Sequence, residues 1–196
     1  QWNLAETLRL SYQMDAAEKE YGRLLKSTGH PHSEGASWRR LTVRRQILTD
    51  RHDKVENRPK DALVESQVTL PNGKVRTVYT VGDAHIRYIE AADALAGAEF
   101  KNEEFGKSLN ASRASLVYEP GQIMFHHGHL DEARKRLLKV IDGWPRRNEA
   151  AFAADLIMSS YQDEGDLKNL RIWGGRFARM QLGADSELAK KLQFAV

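Results

Sequence analysis

Cysteine is absent from the 196 residues, which excludes disulfides and thiolate-bound metal or iron–sulfur centres. That absence is compatible with either cytoplasm or periplasm. Long apolar runs are missing too. No stretch approaches the roughly eighteen apolar residues of a membrane span, and no secretory leader is visible. The chain starts at Gln1 rather than Met, which we read as a piece excised or processed from something longer. Charge imbalance is slight: 30 basic against 27 acidic residues leaves +3, too little to imply nucleic acid without a clustered patch. Phosphate-cradling glycine motifs are lacking, and Gly174-Gly175 falls within a helical pattern. No elbow or turn motif unites the scattered Ser, His and Asp residues, so catalysis is not expected. His126, His127 and His129, with His30 and His32, form the nearest thing to a ligand cluster. Adjacent histidines on a helix point about 100° apart, and no carboxylate or thiolate completes a set, so no metal and no cofactor are expected.

What the chain does have is helical periodicity. Ala114–Arg147 divides at Gly128 into two halves with apolar residues every three or four positions, and stops at Trp144-Pro145. A helix–turn–helix of about 34 residues cannot bury its apolar faces alone, which implies stacked neighbours. This stretch resembles the tetratricopeptide repeat (TPR). With Gly121 on the family glycine, Ala133, Leu137 and Pro145 fall at the family spacing and Gly128 at the turn. Val117, Pro120 and Met124 depart from the expected Trp, Leu and Tyr, and Pro120 predicts a kink. A second copy follows: Tyr161 and Gly165 keep the spacing, Ile157 and Phe177 fill apolar slots, and Leu170 and Gly174 depart. Gly165 follows Gly128 by 37 residues.

The rest reads as follows. Residues 2–28 are helical, with Leu4, Leu8, Ala17, Tyr21, Leu24 and Leu25 at helical spacing. A turn at Gln13-Met14-Asp15 divides them into two helices. Ala17, Tyr21 and Leu24 resemble a repeat's second helix, with Tyr12 a remnant of its first. Ser27–Gly35 is a loop. Ser37–Asp53 is a basic helix with Trp38, Leu41, Ile47 and Leu48 inward and Arg39, Arg40, Arg44, Arg45 and Arg51 ringing the outside. Those arginines either bind phosphate, nucleic acid or an anionic surface, or pair with carboxylates of neighbouring helices. Residues 54–81 break the rhythm. Alternation on either side of Pro71-Asn72-Gly73 predicts a β-hairpin near 66–81, read as an insertion outside the repeat stack. It is either a partner-binding edge or a packed or mobile loop. Helix resumes at Asp83 with Ile86, Ile89, Ala92 and Leu95 inward. KNEEFGKSLN is a polar linker, and the chain ends in an amphipathic helix bearing Leu188, Leu192 and Phe194.

The expected architecture is all-α: a short TPR-like solenoid of αα-hairpins with a β-hairpin insertion. It divides into 1–53, 54–82 and 83–196. The resemblance implies a non-enzymatic scaffold holding a peptide or protein partner of a larger assembly. On that reading the groove is lined by Tyr118, Gln122, Phe125, His126, Asp155, Ser159 and Gln162. More loosely, the chain is similar to TPR proteins of bacterial cell-envelope machinery, including gliding motility, which implies the periplasm, with the cytoplasm as alternative. The competing expectation is a nucleic-acid- or anion-binding regulator using Arg39, Arg40, Arg44 and Arg45. No direct membrane insertion is expected.

Overall fold

A computed structural model describes residues 1–26, 30–70, 72–180 and 182. Among them are eight helices and one two-stranded antiparallel sheet. Among the described residues no helix is long and apolar enough to cross a membrane. The expected end helix with Leu188, Leu192 and Phe194 lies outside the described residues. The chain packs as two units: Gln1–Pro59 with Gly82–Leu116, and Lys60–Val81 with the chain from Val117 on.

The first unit holds α1 (Trp2–Leu10), α2 (Met14–Leu25), α3 (Ser33–His52) and α4 (Asp83–Ala96). Residues 2–28 thus form two helices, as expected, although the break falls at Ser11–Gln13. α3 begins four residues before the expected Ser37, so the loop ends at His32. Leu41 and Leu48 are buried on its inner side, and Val43 joins them. In α4, Ile86 is 42% exposed, contrary to the expected inner stripe, while His85 and Tyr88 are buried instead. Leu4 is likewise exposed, and its neighbour Ala5 takes the buried position.

α5 (Glu103–His126) runs from the first unit into the second. Its opening turns are the segment read as a polar linker. Asn102 Oδ1 accepts the backbone N–H groups of Glu104 (3.0 Å) and Phe105 (3.1 Å), an N-cap that satisfies donors the helix leaves open. Glu103 and Glu104 oppose the positive end of the helix dipole. Leu109 is fully buried while Phe105 is 36% exposed, so one buried apolar residue anchors this part. Pro120 stands inside α5, and the helix continues past it.

The second unit contains β1 (Val64–Thr69), β2 (Val75–Tyr79), the end of α5, α6 (Leu130–Gly143), α7 (Asn148–Glu164) and α8 (Leu167–Arg179). Its core joins Ala133, Leu137, Val140 and Ile141 of α6 to Ala150, Ala151, Ala153, Ala154 and Ile157 of α7. Small side chains on one helix against branched ones on the next permit close approach.

Three αα-hairpins share one turn. Gly128 N–H bonds Phe125 O and His129 N–H bonds Met124 O; Gly165 and Asp166 bond Gln162 and Tyr161 in the same pattern, and Tyr12 and Gln13 bond Arg9 and Leu8 likewise. Each is a helix end closed by a residue with positive φ: +84° at Gly128, +71° at Gly165 and +61° at Tyr12. Tyr12 is therefore the turn residue itself rather than a remnant of a first helix. The register continues into the helices. Seven residues before each turn residue stand Ala5, Gly121 and Met158; nine after it stand Tyr21, Leu137 and Gly174. A Cβ on Gly121 would lie 2.9 Å from Leu137, and one on Gly174 would lie 3.0 Å from Met158. The same helix–helix contact thus pairs small with large in the α5/α6 hairpin and large with small in the α7/α8 hairpin.

The sheet is the predicted β-hairpin. Asn72 lacks the positive φ that a two-residue Asn-Gly turn would need. Instead Gly73 alone is left-handed (φ +78°), Leu70 N–H bonds Lys74 O, and Asn72 Oδ1 accepts the Lys74 N–H at 3.0 Å. The expectation of a hairpin outside the helical stack is corrected: the hairpin packs on the turns of the second unit. Tyr79 N–H donates to His127 O at 2.8 Å, and Asn72 Nδ2 donates to Asp163 O at 3.4 Å. Leu70 and Val78 are buried beneath it.

Candidate functional site

The residues expected to line a groove fall on two helices at matching positions. Tyr118, Gln122 and Phe125 of α5 stand 10, 6 and 3 residues before Gly128; Asp155, Ser159 and Gln162 of α7 stand at the same offsets before Gly165. Spacing of four and three puts each trio on one helix face. Asp155, Gln162 and His126 are exposed, while Gln122 and Ser159 are half-buried. Tyr118 and Phe125 are half-buried against the core, so they are partly structural. The Tyr118 ring lies 6.3 Å from that of Phe152 on α7. Phe152 is 44% exposed and was not anticipated; its place one turn before Asp155 is the signal that could have found it.

Phe125 and His126 take part in a second feature. With Val75, Thr77 and Lys74 of the hairpin and Asp163 of α7 they line an open cleft of about 330 Å³. The hairpin therefore forms one wall of a surface that the helices alone were expected to supply. Two glycines admit it. A Cβ on Gly128 would meet Thr77 O at 2.6 Å, and one on Gly165 would meet Asn72 Nδ2 at 2.9 Å.

An ion network fastens this wall. Glu164 at the end of α7 binds Arg76 of β2 and Arg134 of α6, the latter at 2.7 Å. Arg134 also reaches Asp131 at 2.6 Å and stacks over the Tyr161 ring at 4.6 Å. The Arg134 hydrogen bond holds the Asp131 carboxyl below its usual range, although burial opposes this.

The histidines disperse. His127 is buried with Nδ1 2.8 Å from Ile123 O, and a carbonyl can only accept, so Nδ1 carries the proton. His129 Nε2 lies 2.9 Å from Tyr79 O and 3.6 Å from Glu65, and it donates by the same reasoning. His126 is exposed beside Phe125. Among the described residues no group of three His, Asp or Glu could hold a metal ion.

The basic face resolves differently from the outer ring expected of it. Arg44 is buried, not outward: Nη2 lies 2.8 Å from Glu18, and Nη1 donates to Arg87 O. Arg40 Nε meets the same Glu18 oxygen at 2.7 Å, Arg39 approaches Glu6 at 3.5 Å, and Arg51 approaches Asp15 at 3.5 Å. Arg45 is exposed. Burial works to raise the Glu18 carboxyl, but Arg40 and Arg44 outweigh it and hold the group low. Burial, then the nearby Arg40 charge, lowers Arg44. Four of these arginines, Arg39, Arg40, Arg44 and Arg51, sew α3 to α1 and α2.

No protein-family model, curated protein or solved structure matches the chain.

Proposed function

We propose that the chain is a non-enzymatic, TPR-like scaffold that binds an extended peptide of a partner protein across the α5 and α7 faces. The observation that carries this reading is the equivalence of Tyr118, Gln122 and Phe125 with Asp155, Ser159 and Gln162 at one offset from two identical turns. Side chains repeated at fixed offsets on successive first helices present a continuous row of contacts to a linear ligand. Tyr118, Phe125 and Phe152 supply rigid apolar contact, the kind that dominates binding energy at such surfaces. Gln122, Asp155 and Gln162 supply hydrogen-bonding groups for a peptide backbone. The basic-helix reading has less support, since Arg39, Arg40, Arg44 and Arg51 are engaged with carboxylates of α1 and α2.

Selection of peptides from a display library on the whole chain tests the reading, followed by amide shift mapping with a bound peptide. Shifts should cluster at 118–126 and 152–162. Gln122→Arg with Asp155→Arg should weaken binding at least tenfold, about 1.4 kcal/mol or more, while Arg39→Glu with Arg45→Glu leaves it unchanged. Failure to select any peptide, or shifts confined to α3, would overturn it. So would polynucleotide binding with a steep salt slope.

A further inference from the structure

In the first unit, α3 and α4 face each other at one end with small side chains. Arg44 Nη1 donates to Arg87 O and ties the two helices together there. Farther along, α4 carries Ala91 and Ala94, and Ala98 comes just after its end. Ser37 of α3 shares the space with them. Protein interiors are ordinarily close-packed, so alanines where Leu or Phe would fit leave room. The room here is an open cleft of about 270 Å³, lined also by Leu25 from the end of α2 and by Leu95.

Two opposite charges line this cleft without meeting. A guanidinium has five N–H donors, and Glu18 takes only the Nε donor of Arg40, at 2.7 Å. The Nη groups of Arg40 meet no acceptor among the described residues. They lie against α2 at Gly22, where a Cβ would stand 3.1 Å from Nη2. Arg44 lines the cleft too, but Glu18 holds its Nε and Nη2 while Arg87 O holds its Nη1. Glu90 of α4 lines the opposite side and makes no ion pair among the described residues. Elsewhere in this unit opposite charges close up: Arg9 reaches Glu6 at 2.9 Å and Arg23 reaches Glu20 at 2.5 Å. Arg40 and Glu90 share a cleft and stay apart.

We propose that this cleft binds a small zwitterion with an aliphatic body, of the class of the free aliphatic amino acids. Its carboxylate accepts from the Nη groups of Arg40, whose planar fork matches a carboxylate. Its ammonium donates to Glu90, and its side chain covers Ala91, Ala94 and Leu95. Both charges are needed. A plain carboxylate would be repelled by Glu90, and a plain amine would be repelled by Arg40. The size agrees, since sites for drug-sized ligands run from roughly 300 to 1,000 Å³ and this one is smaller. The site uses no residue of the α5 and α7 faces, so it stands apart from the peptide-binding reading.

Calorimetric titration of the whole chain with L-leucine tests the proposal, beside isocaproate, which lacks the ammonium, and isoamylamine, which lacks the carboxylate. Leucine should bind with a Kd between about 1 µM and 1 mM, and each analogue at least about tenfold more weakly. Glu90 is exposed and gives up no ion pair when changed, so Glu90→Gln should keep the fold. It should weaken leucine about tenfold and bring isocaproate level with it. Ala94→Phe puts a ring into the cleft and should abolish binding with an unchanged circular dichroism spectrum. Arg40→Gln should abolish binding as well; if losing the Glu18 bond unfolds that variant, Glu90→Gln and Ala94→Phe decide. No heat from leucine up to about 10 mM, isocaproate binding the parent as tightly as leucine, or leucine indifferent to both Glu90→Gln and Ala94→Phe would each overturn the proposal.

Discussion

The α1/α2 turn and the two turns of the second unit have the same backbone and different residues. At the first, Tyr12 accepts a positive φ, and its hydroxyl meets Asp50 at 3.2 Å. At the others, glycine stands with the β-hairpin pressed against it. A left-handed residue costs a non-glycine side chain of the order of 1 kcal/mol, and the Tyr12 turn tolerates that. Glycine at Gly128 and Gly165 thus answers a second demand: space for Thr77 and Asn72. The turn geometry comes from helix ends, while the glycines report the neighbour.

The largest expected effect comes from breaking that distinction. Gly128→Ala adds left-handed strain and a clash with a backbone oxygen, so it should destabilise the second unit by about 3 kcal/mol. Gly165→Ala should cost less, because Asn72 presents a side chain that can rotate aside. Urea unfolding of the two variants checks the order; equal, small losses would mean the hairpin is loosely held.

A second test concerns the side of the comparison without a hairpin, where ion pairs do the fastening. Glu18→Gln leaves buried Arg44 without its carboxylate and should cost about 2 kcal/mol, a discount on the ~3–5 kcal/mol typical of fully buried pairs. The sign with pH follows from the lowered Glu18 value. Its stabilisation is fully present above the ordinary carboxyl range and is lost as acid takes the pH down through the lower folded-state value. Melting temperature against pH should therefore fall less steeply toward acid in Glu18→Gln than in the parent. Parallel curves would remove Glu18 as the cause.

The smallest effect sharpens the comparison. Tyr12→Gly relieves strain but gives up the Asp50 contact and adds chain entropy to the unfolded state. A net change within about 0.5 kcal/mol is expected by thermal melting, against the several-fold larger loss at Gly128.

Legibility followed the range over which each signal acts. The αα-hairpins show in the three-to-four-residue spacing of Ala133, Leu137 and Val140, and Gly73 announced a hairpin although the turn differs in type from a simple Asn-Gly pair. The α5 start escaped notice because its apolar content between 101 and 110 is only Phe105 and Leu109, and the cap at Asn102 outweighs that polarity. Arg44 was misplaced because periodicity sorts residues by type, and a guanidinium goes inside only when Glu18, far along the chain, meets it. The hairpin wall beside Phe125 and His126 had no local signal at all. Its contacts join Asn72 to Asp163 and Arg76 to Glu164, pairs that no window of sequence contains.

Those long spans have a consequence for how the chain must be handled. Residues 60–81 belong to a unit whose other residues begin at Val117, so the polypeptide leaves that unit and returns to it. Contacts across about ninety positions are entropically slow to close, and the helices from α6 onward can form before the strands arrive. No single cut of the gene isolates the second unit whole. A fragment starting at 117 would carry Gly128 and Gly165 with bare turns and would leave its Glu164–Arg134 pair without Arg76. An excised version needs the strands spliced ahead of α5, through a linker long enough to lay β2 back across both turns.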